Sequence, residues 1–190
     1  QANVIISNID KVPDPALTQA ERDQWKAEAK IFRGMMLFDL AHWFGNIPLN
    51  LTEAPDITAD NIEEVYPIYF PMPVTQDSAY KQVIKDLTEA IPYAPALNPN
   101  DKRVLSKTVA YALLAKLYAE LGEWDKVIEY SDMVFASGIA LADNYADLWK
   151  YDENIGDATR NNKETILEAQ YTAASGNWVT WMFGRNLSNW

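Results

Sequence analysis

The stretch YALLAKLYAELGEWDKVIEYSDMVFAS, from Tyr111 to Ser137, decides the fold that the sequence predicts. Its first part belongs to a helix of about Ser106–Leu121, which places apolar residues at helical spacing: Tyr111, Leu114, Ala115, Tyr118 and Leu121. Gly122 breaks this helix, and a second helix runs from about Trp124 to Ser137, before Gly138. Because the connection is so short, the two helices must lie antiparallel.

The first half of the chain predicts two more helices. Thr18 and Glu21 have the spacing of a capping box, and Gly45 and Pro48 end the helix that they begin. Apolar residues recur along this helix and predict a core-facing stripe: Trp25, Ala29, Phe32, Met36, Leu40 and Trp43. The same periodicity predicts a core position for Trp124. The next helix runs from about Gln76 to Ile91, before Pro92.

The rest of the chain is less regular. Residues 50–75 are polar and contain four prolines, so we predict a long loop without regular helix. Residues 144–150 predict one short helix, residues 163–171 a short strand, and residues 172–190 a loop. The first six residues, QANVII, look like the middle of a helix without a cap. With Gln1 in place of Met, they predict a segment of a longer mature protein.

Composition narrows the class of partner. The 190 residues are enough for one domain with a sizeable core. The net charge of −11 makes nucleic acid and anionic membrane surfaces unfavourable partners, because both require clustered Lys and Arg. The chain contains no Cys, which excludes disulfides, thiolate metal sites and a Cys nucleophile. No apolar run approaches the roughly 20 residues of a membrane span.

The two later helices resemble one tetratricopeptide unit, with ALLAKLY at residues 112–118, Gly122 at the turn and WDKVIEY at residues 124–130. The two earlier helices would form a first unit with a long insertion. We therefore predict a mainly α fold of tetratricopeptide-like stacked helical hairpins (an α-α superhelix) with long irregular loops. The helical region is predicted over residues 1–150, and residues 151–190 form a loop-rich segment that leads into a missing C-terminal part.

A more specific resemblance lies in residues 27–49. AEAKIFRG at 27–34, FDL at 38–40 and WFGNIPL at 43–49 resemble the signature of SusD-like (SusD/RagB) proteins. In that family a helix of the type A-E-A-x-F-x-R-A…F-x-L ends in F-G-x-x-P, and Gly34 departs from the usual Ala. Two further stretches are similar to the family: residues 106–124, and residues 144–149 followed by 163–168. The order and rough spacing agree across about residues 1–170.

The resemblance implies a function. SusD-like proteins are outer-membrane lipoproteins of Bacteroidetes that capture glycans or other nutrients and work with a SusC-like TonB-dependent transporter. It therefore implies a non-catalytic binding component, without cofactor or metal, located at the outer membrane. The lipid anchor would lie N-terminal to this chain, and the protein would be surface-exposed.

Candidate site residues are few. His42, the only His, lies in the last turn of a predicted helix, where a cation suits the helix dipole, and we interpret it as structural. Residues 152–157 (DENIGD) superficially resemble a calcium loop but lack the spacing of an EF-hand. The C-terminal segment combines Trp with polar residues, which suits a sugar-binding surface: Trp178, Trp181, Asn177, Arg185 and Trp190. Alternatively, these Trp pack against parts of the protein that lie beyond this chain.

Two other functions remain open at this point. The first is a tetratricopeptide-type protein-interaction scaffold without small-ligand binding, because such grooves commonly bind peptides. The second is a hydrolase that uses two carboxylates, but their separation is spatial and the sequence offers no motif for it.

Overall fold

Helices make up most of the part of the chain that the computed structural model describes, which is residues 1–152, 157–158 and 160–170. The α-helices there are α1 Ala2–Asn8, α2 Gln19–Phe44, α3 Ile62–Tyr69, α4 Gln76–Ala90, α5 Lys107–Leu121 and α6 Trp124–Ala136. Short 3₁₀ turns cover Ile9–Lys11 and Tyr145–Trp149. The strand β1 (Ile47–Pro48) pairs antiparallel with β2 (Pro73–Val74), and β3 (Tyr151–Asp152) pairs antiparallel with β4 (Asp157–Ala158).

The helix boundaries confirm the main sequence predictions. Thr18 caps α2, and its hydroxyl and the Glu21 carboxylate bond reciprocally to the backbone, which completes the capping box. At the α5–α6 turn, Gly122 adopts a left-handed conformation with φ 73°, which glycine takes without the steric cost that other residues meet. Within this hairpin the rings of Tyr118 and Tyr130 stack with centroids 5.7 Å apart. Burial raises the pKa of both tyrosines, with a further contribution from nearby negative charge.

The hydrophobic core lies where α2, α4 and α5 meet. Small residues on α2 let α4 approach closely, and a Cβ placed on Gly34 would come within 3.1 Å of Leu87. The largest apolar side chains that are fully buried here are Phe38, Ile31, Leu87, Leu114 and Leu117. The helical hairpins therefore pack through a mixture of small and large residues, as tetratricopeptide-like repeats require.

The predicted orientation of α2 was wrong. The buried residues of this helix are Ala27, Ala29, Ile31, Gly34, Leu37, Phe38 and Ala41. Of the six residues in the predicted stripe, only Ala29 is buried, and the other five are exposed. Trp25 is 49% exposed and Trp43 is 78% exposed. Trp124 on α6, also predicted to lie in the core, is 65% exposed. Periodicity identifies an apolar face, but α2 has two of them, and packing against α4 selects the one with small residues.

Two predictions about the irregular regions were also wrong. Residues 50–75 are not loop throughout, because α3 forms within them and contains Pro67. Pro67 lies past the first turn and cannot donate to the carbonyl of residue 63, but the bonds on either side of it form, from the amide of Val65 to Asn61 and from that of Phe70 to Tyr66, both at 3.0 Å. Residues 163–170, predicted to be a strand, contain no strand. The short helix predicted at residues 144–150 is present as the 3₁₀ turn Tyr145–Trp149.

Two arginines connect the helices to their loops. Arg33 on α2 makes a bidentate ion pair with Asp86 on α4, with both hydrogen bonds at 2.7 Å. Asp86 is 1% exposed, so the pair is buried. The same guanidinium donates to the Asn3 side chain and to the carbonyl of Leu51. Arg22 donates to the four carbonyls of residues 9, 12, 14 and 17, which fixes the connection from α1 to α2.

No helix in the described ranges is long and apolar enough to cross a membrane. At the N-terminus, α1 has no side-chain cap, as the sequence predicts.

Candidate functional site

The C-terminal residues predicted to contact a ligand lie outside the described residues. This applies to Trp178, Trp181, Asn177, Arg185 and Trp190, and also to most of the loop considered for calcium. The segment that leads towards them is fixed by the buried Lys102, whose Nζ donates to the carbonyl of Asn162 at 2.5 Å. Lys102 also accepts a backbone hydrogen bond from Glu168 at 2.8 Å. Burial lowers the pKa of Lys102, and the charge of Glu168 opposes that shift.

A different candidate surface lies on α3. We call Ile62, Glu63, Tyr66, Phe70 and Met72 the α3 surface, and all five side chains are exposed. The rings of Tyr66 and Phe70 lie with centroids 4.8 Å apart and an angle of 31° between their planes. Ile62, Glu63 and Tyr66 line an open depression of about 310 Å³. The α3 surface is therefore a shallow aromatic platform with a carboxylate at its edge.

Local interactions hold this surface in place. Val65 on the opposite side of α3 is 4% exposed and anchors the helix. The Asn50 side chain donates to the carbonyl of Ile68 at 3.2 Å, and the Tyr69 hydroxyl donates to the carbonyl of Pro55 at 2.6 Å. At the N-terminal end, the Asn61 side chain accepts from the Thr58 amide and donates to the carbonyl of residue 56.

The F-G-x-x-P motif closes the base of this insertion. Gly45 ends α2 with φ 71° and ψ −105°, a conformation that favours glycine. Two residues later, Ile47 is buried and pairs with Val74 on β2. The Asn46 side chain accepts from the amide of Gln76, and the Gln76 side chain donates to the carbonyl of Ala41. The motif therefore joins the end of α2 to the start of α4 and brings the two ends of the inserted segment together.

The chemistry of the α3 surface suits a neutral polyhydroxylated ligand. Exposed aromatic rings can cover apolar faces such as the C–H face of a sugar ring. The Glu63 carboxylate can accept hydrogen bonds from hydroxyl groups. Four further carboxylates lie within residues 53–64: Glu53, Asp56, Asp60 and Glu64. No Lys or Arg occurs between Arg33 and Lys81. Among the described residues, no group of three His, Asp or Glu side chains could hold a metal ion.

The exposed apolar face of α2 has a different character. It consists of Trp25, Phe32, Met36, Leu40 and Trp43, and we call it the α2 face. These residues extend over about 27 Å of helix at 1.5 Å per residue. Ala29, which lies in the same row between Trp25 and Phe32, is buried. A group of exposed large apolar side chains on one helix face is typical of a protein interface. His42 lies beside it, stacked on Phe38 with centroids 5.9 Å apart and with Nδ1 3.6 Å from Glu120, which agrees with the structural role predicted for it.

A third exposed indole, that of Trp124, lies at the α5–α6 turn. Residues 122–126 line an open depression of about 450 Å³, and the exposed Trp124 is one of these lining residues. All of its lining residues come from one turn, so it lacks the groups from separate elements that usually define a small-molecule site.

The sequence prediction does not include the α3 surface, because four prolines in residues 50–75 argue against a helix there, whereas α3 forms with Pro67 inside it. A signal was nevertheless present: Ile62, Val65, Tyr66, Tyr69 and Phe70 follow one another at alternating steps of three residues and one residue. That spacing is typical of an amphipathic helix.

The stacked helical hairpins, with exposed loop and aromatic surfaces, define a tetratricopeptide-like helical protein. The family model described as "Starch-binding associating with outer membrane" matches residues 1–119. The chain belongs to this SusD-like family, which confirms the resemblance drawn from residues 27–49.

Individual relatives are similar to this chain in sequence or in fold. A SusD-like protein of Bacteroides ovatus is 26% identical over 189 aligned positions, covering 93% of this chain and 31% of the relative. A laminarin-binding SusD-like protein of known structure is 27% identical with a TM-score of 0.74, covering 95% of this chain and 37% of the other. A SusD superfamily protein of Bacteroides vulgatus is 24% identical with a TM-score of 0.70, covering 89% of this chain and 33% of the other. The chain thus spans about a third of the length of the relatives it matches.

Proposed function

We propose that this chain is part of a non-catalytic glycan-binding component of an outer-membrane nutrient uptake system. The proposal rests on membership of the SusD-like family and, within the described residues, on the exposed Tyr66–Phe70 pair beside Glu63. The two rings provide apolar area for sugar faces, and the carboxylate provides an acceptor for hydroxyl groups. Under this proposal the protein binds its ligand and releases it chemically unchanged.

The finer parts of the proposal follow from the family resemblance. The glycan-binding component would work with a SusC-like TonB-dependent transporter. It would be held at the outer membrane by an N-terminal lipid anchor outside this chain, with its binding surface exposed. We retain Trp178, Trp181, Asn177, Arg185 and Trp190 as proposed further ligand contacts, because their residue types suit sugar recognition.

The experiment is a binding panel of neutral polysaccharides, read by affinity gel electrophoresis and calorimetry. We expect at least one glycan to bind, and the double variant Tyr66→Ala/Phe70→Ala to weaken it at least tenfold. In nucleic-acid-binding proteins, an aromatic side chain that stacks on a base contributes about 1–3 kcal/mol to binding. Two aromatic rings on a sugar should together exceed the roughly 1.4 kcal/mol that corresponds to a tenfold change in affinity. Tyr93→Ala is the matched control, because Tyr93 is also an exposed aromatic but lies outside the α3 surface. Equal binding by both variants would remove the α3 surface from the proposal.

The C-terminal residues are tested in the same panel. Trp178→Ala/Trp181→Ala should weaken the same glycan if the two groups of residues share one ligand. If this pair leaves affinity unchanged while the Tyr66 and Phe70 pair lowers it, the ligand is held by the α3 surface without them.

A second candidate function is protein docking without a small ligand, and the α2 face favours it. Monomeric proteins rarely expose a large apolar patch, and five large apolar side chains are exposed on this face. We propose that the transporter or another part of the longer protein covers it. A photoreactive residue at position 43 tests this by cross-linking in Bacteroidetes cells. If the transporter covers the α2 face, a TonB-dependent transporter should be recovered. If another part of the longer protein covers it, only intramolecular products should form. A soluble partner unrelated to uptake would favour a general scaffold.

A further inference from the structure

We infer that the α3 surface selects neutral glycans and excludes anionic ones, such as those that carry uronic acid or sulfate groups. This inference rests on the proposed glycan-binding function and adds a ligand class to it. It comes from the juxtaposition of the Tyr66–Phe70 platform with a set of carboxylates that no cation neutralises.

Four carboxylates belong to the segment that carries the platform. Glu63 lines the same depression as Tyr66, and the Tyr69 hydroxyl bonds the carbonyl of Pro55, next to Asp56. Asn61 binds the amide of Thr58 at 2.7 Å and the carbonyl of Asp56 at 2.9 Å, so the turn before α3 is fixed. This turn carries Asp56 and Asp60, and the first turn of α3 carries Glu63 and Glu64. All four side chains are exposed, and none forms an ion pair within the described part of the chain.

Nearby cations are already engaged. Arg33 is paired with the buried Asp86, and Lys81 forms an ion pair with Asp77. Lys11 donates to Asn8, whose side chain bonds Glu53 at the base of the insertion. The sequence between Arg33 and Lys81 contains no Lys or Arg. A ligand on the platform would therefore meet an uncompensated negative field.

Part of this charge also has a local role. Glu63 and Glu64 lie in the first turn of α3, where negative charge is favourable to the helix dipole. Asp56 and Asp60 lie before the helix and outside its first turn, so the helix dipole does not account for them. An anionic glycan would be repelled by all four, whereas a neutral glycan would not. At physiological ionic strength the screening length is about 8 Å, so charges at the edge of the platform act on a ligand that lies on it.

The experiment compares two derivatives of the neutral glycan that binds best in the panel. One carries carboxymethyl groups and the other carries hydroxyethyl groups at the same degree of substitution, so that the two are similar in bulk and differ in charge. The full chain should bind the carboxymethyl derivative at least about tenfold more weakly than the hydroxyethyl derivative at low salt. The ratio should fall towards one at about 1 M salt, where the screening length is near 3 Å.

A charge variant tests whether these carboxylates cause the difference. Asp56→Asn/Asp60→Asn/Glu64→Gln should reduce the ratio of the two affinities at low salt. The matched control Glu123→Gln/Asp125→Asn/Asp132→Asn, which removes three exposed carboxylates at the α5–α6 turn and on α6, should leave the ratio as it is in the parent chain. Circular dichroism checks that each variant is folded.

The outcomes separate the inference from the function on which it rests. Equal binding of the two derivatives, or a panel in which only anionic glycans bind, overturns the inference and leaves glycan binding in place. Failure of every glycan to bind, neutral or anionic, overturns the proposed function itself. A difference between the derivatives that persists in the triple variant places the selection elsewhere on the protein and overturns the inference.

Discussion

Removing one partner of the ion pair between Arg33 and Asp86 should be one of the most destabilising single changes in this chain. Arg33 Nε and Nη2 each donate to Asp86 at 2.7 Å, and the Gln82 side chain donates to Asp86 Oδ1 at 2.9 Å. Asp86→Asn keeps the size of the side chain but leaves the guanidinium, whose side chain is 11% exposed, without its counter-charge.

Removing one partner of a buried ion pair costs about 3–5 kcal/mol, because the other charge remains buried and unpaired. In a chain of 150–250 residues, 1 kcal/mol corresponds to about 2–4 °C of melting temperature, so Asp86→Asn should lower Tm by about 6–20 °C. Thermal unfolding followed by circular dichroism measures this shift. Asp77→Asn is the control, because the Asp77–Lys81 pair is also 2.7 Å long but is exposed to solvent.

A double-mutant cycle tests the cause. Arg33→Met removes the buried cation, so the double variant Arg33→Met/Asp86→Asn should lose less than the sum of the two single variants. Strictly additive losses, or a loss below about 1 kcal/mol for Asp86→Asn, would refute the conclusion that burial makes this pair important.

Three further predictions concern α2. Gly45→Ala should cost about 1–3 kcal/mol in unfolding free energy, because the backbone has φ 71° and ψ −105° while no atom lies within 4 Å of the added Cβ; an unchanged value would contradict this. Phe38→Ala should cost about 3–5 kcal/mol by urea unfolding and Trp43→Ala less than about 0.5, whereas the reverse order would contradict the observed orientation of the helix. Thr18→Ala should cost about 1 kcal/mol at neutral pH. Hydrogen bonds from Thr18 lower the pKa of Glu21 in the folded protein. The stabilisation that the ionised Glu21 gives to the cap is therefore present above the pKa of Glu21 in the unfolded chain, and it is lost as the pH falls through the pKa in the folded protein. The difference between parent and Thr18→Ala should therefore shrink in acid, and a constant difference would refute the coupling.

The sequence predicted the helices well where local signals were strong. The Thr18 capping box, the prolines after α4 and the glycines after α5 and α6 each act within a few residues, and the helix ends agree with them. The family was also recognisable from residues 27–49, because the F-G-x-x-P motif reports a local requirement. Gly45 must take a positive φ, and the residues after it must join β2.

The candidate site was less accessible to sequence reasoning. The α3 surface depends on a helix that tolerates Pro67, and on distant groups that hold it, such as Asn50 against Ile68. The predicted contacts at Trp178 and Trp181 rest on residue type alone, and they remain predictions.

By itself, the sequence determined that this chain forms amphipathic helices with defined ends, that it carries a strongly acidic charge and that it resembles SusD-like proteins. Each of these properties depends on residue type and on spacing within a few turns. Only the tertiary structure decided which apolar face of α2 lies in the core. Ala27, Gly34 and Ala41 allow α4 to approach closely, whereas Trp25 and Trp43 on the other face would hold it away. Both faces satisfy the helical period, so the choice between them depends on the shape of the partner helix, which no local pattern contains.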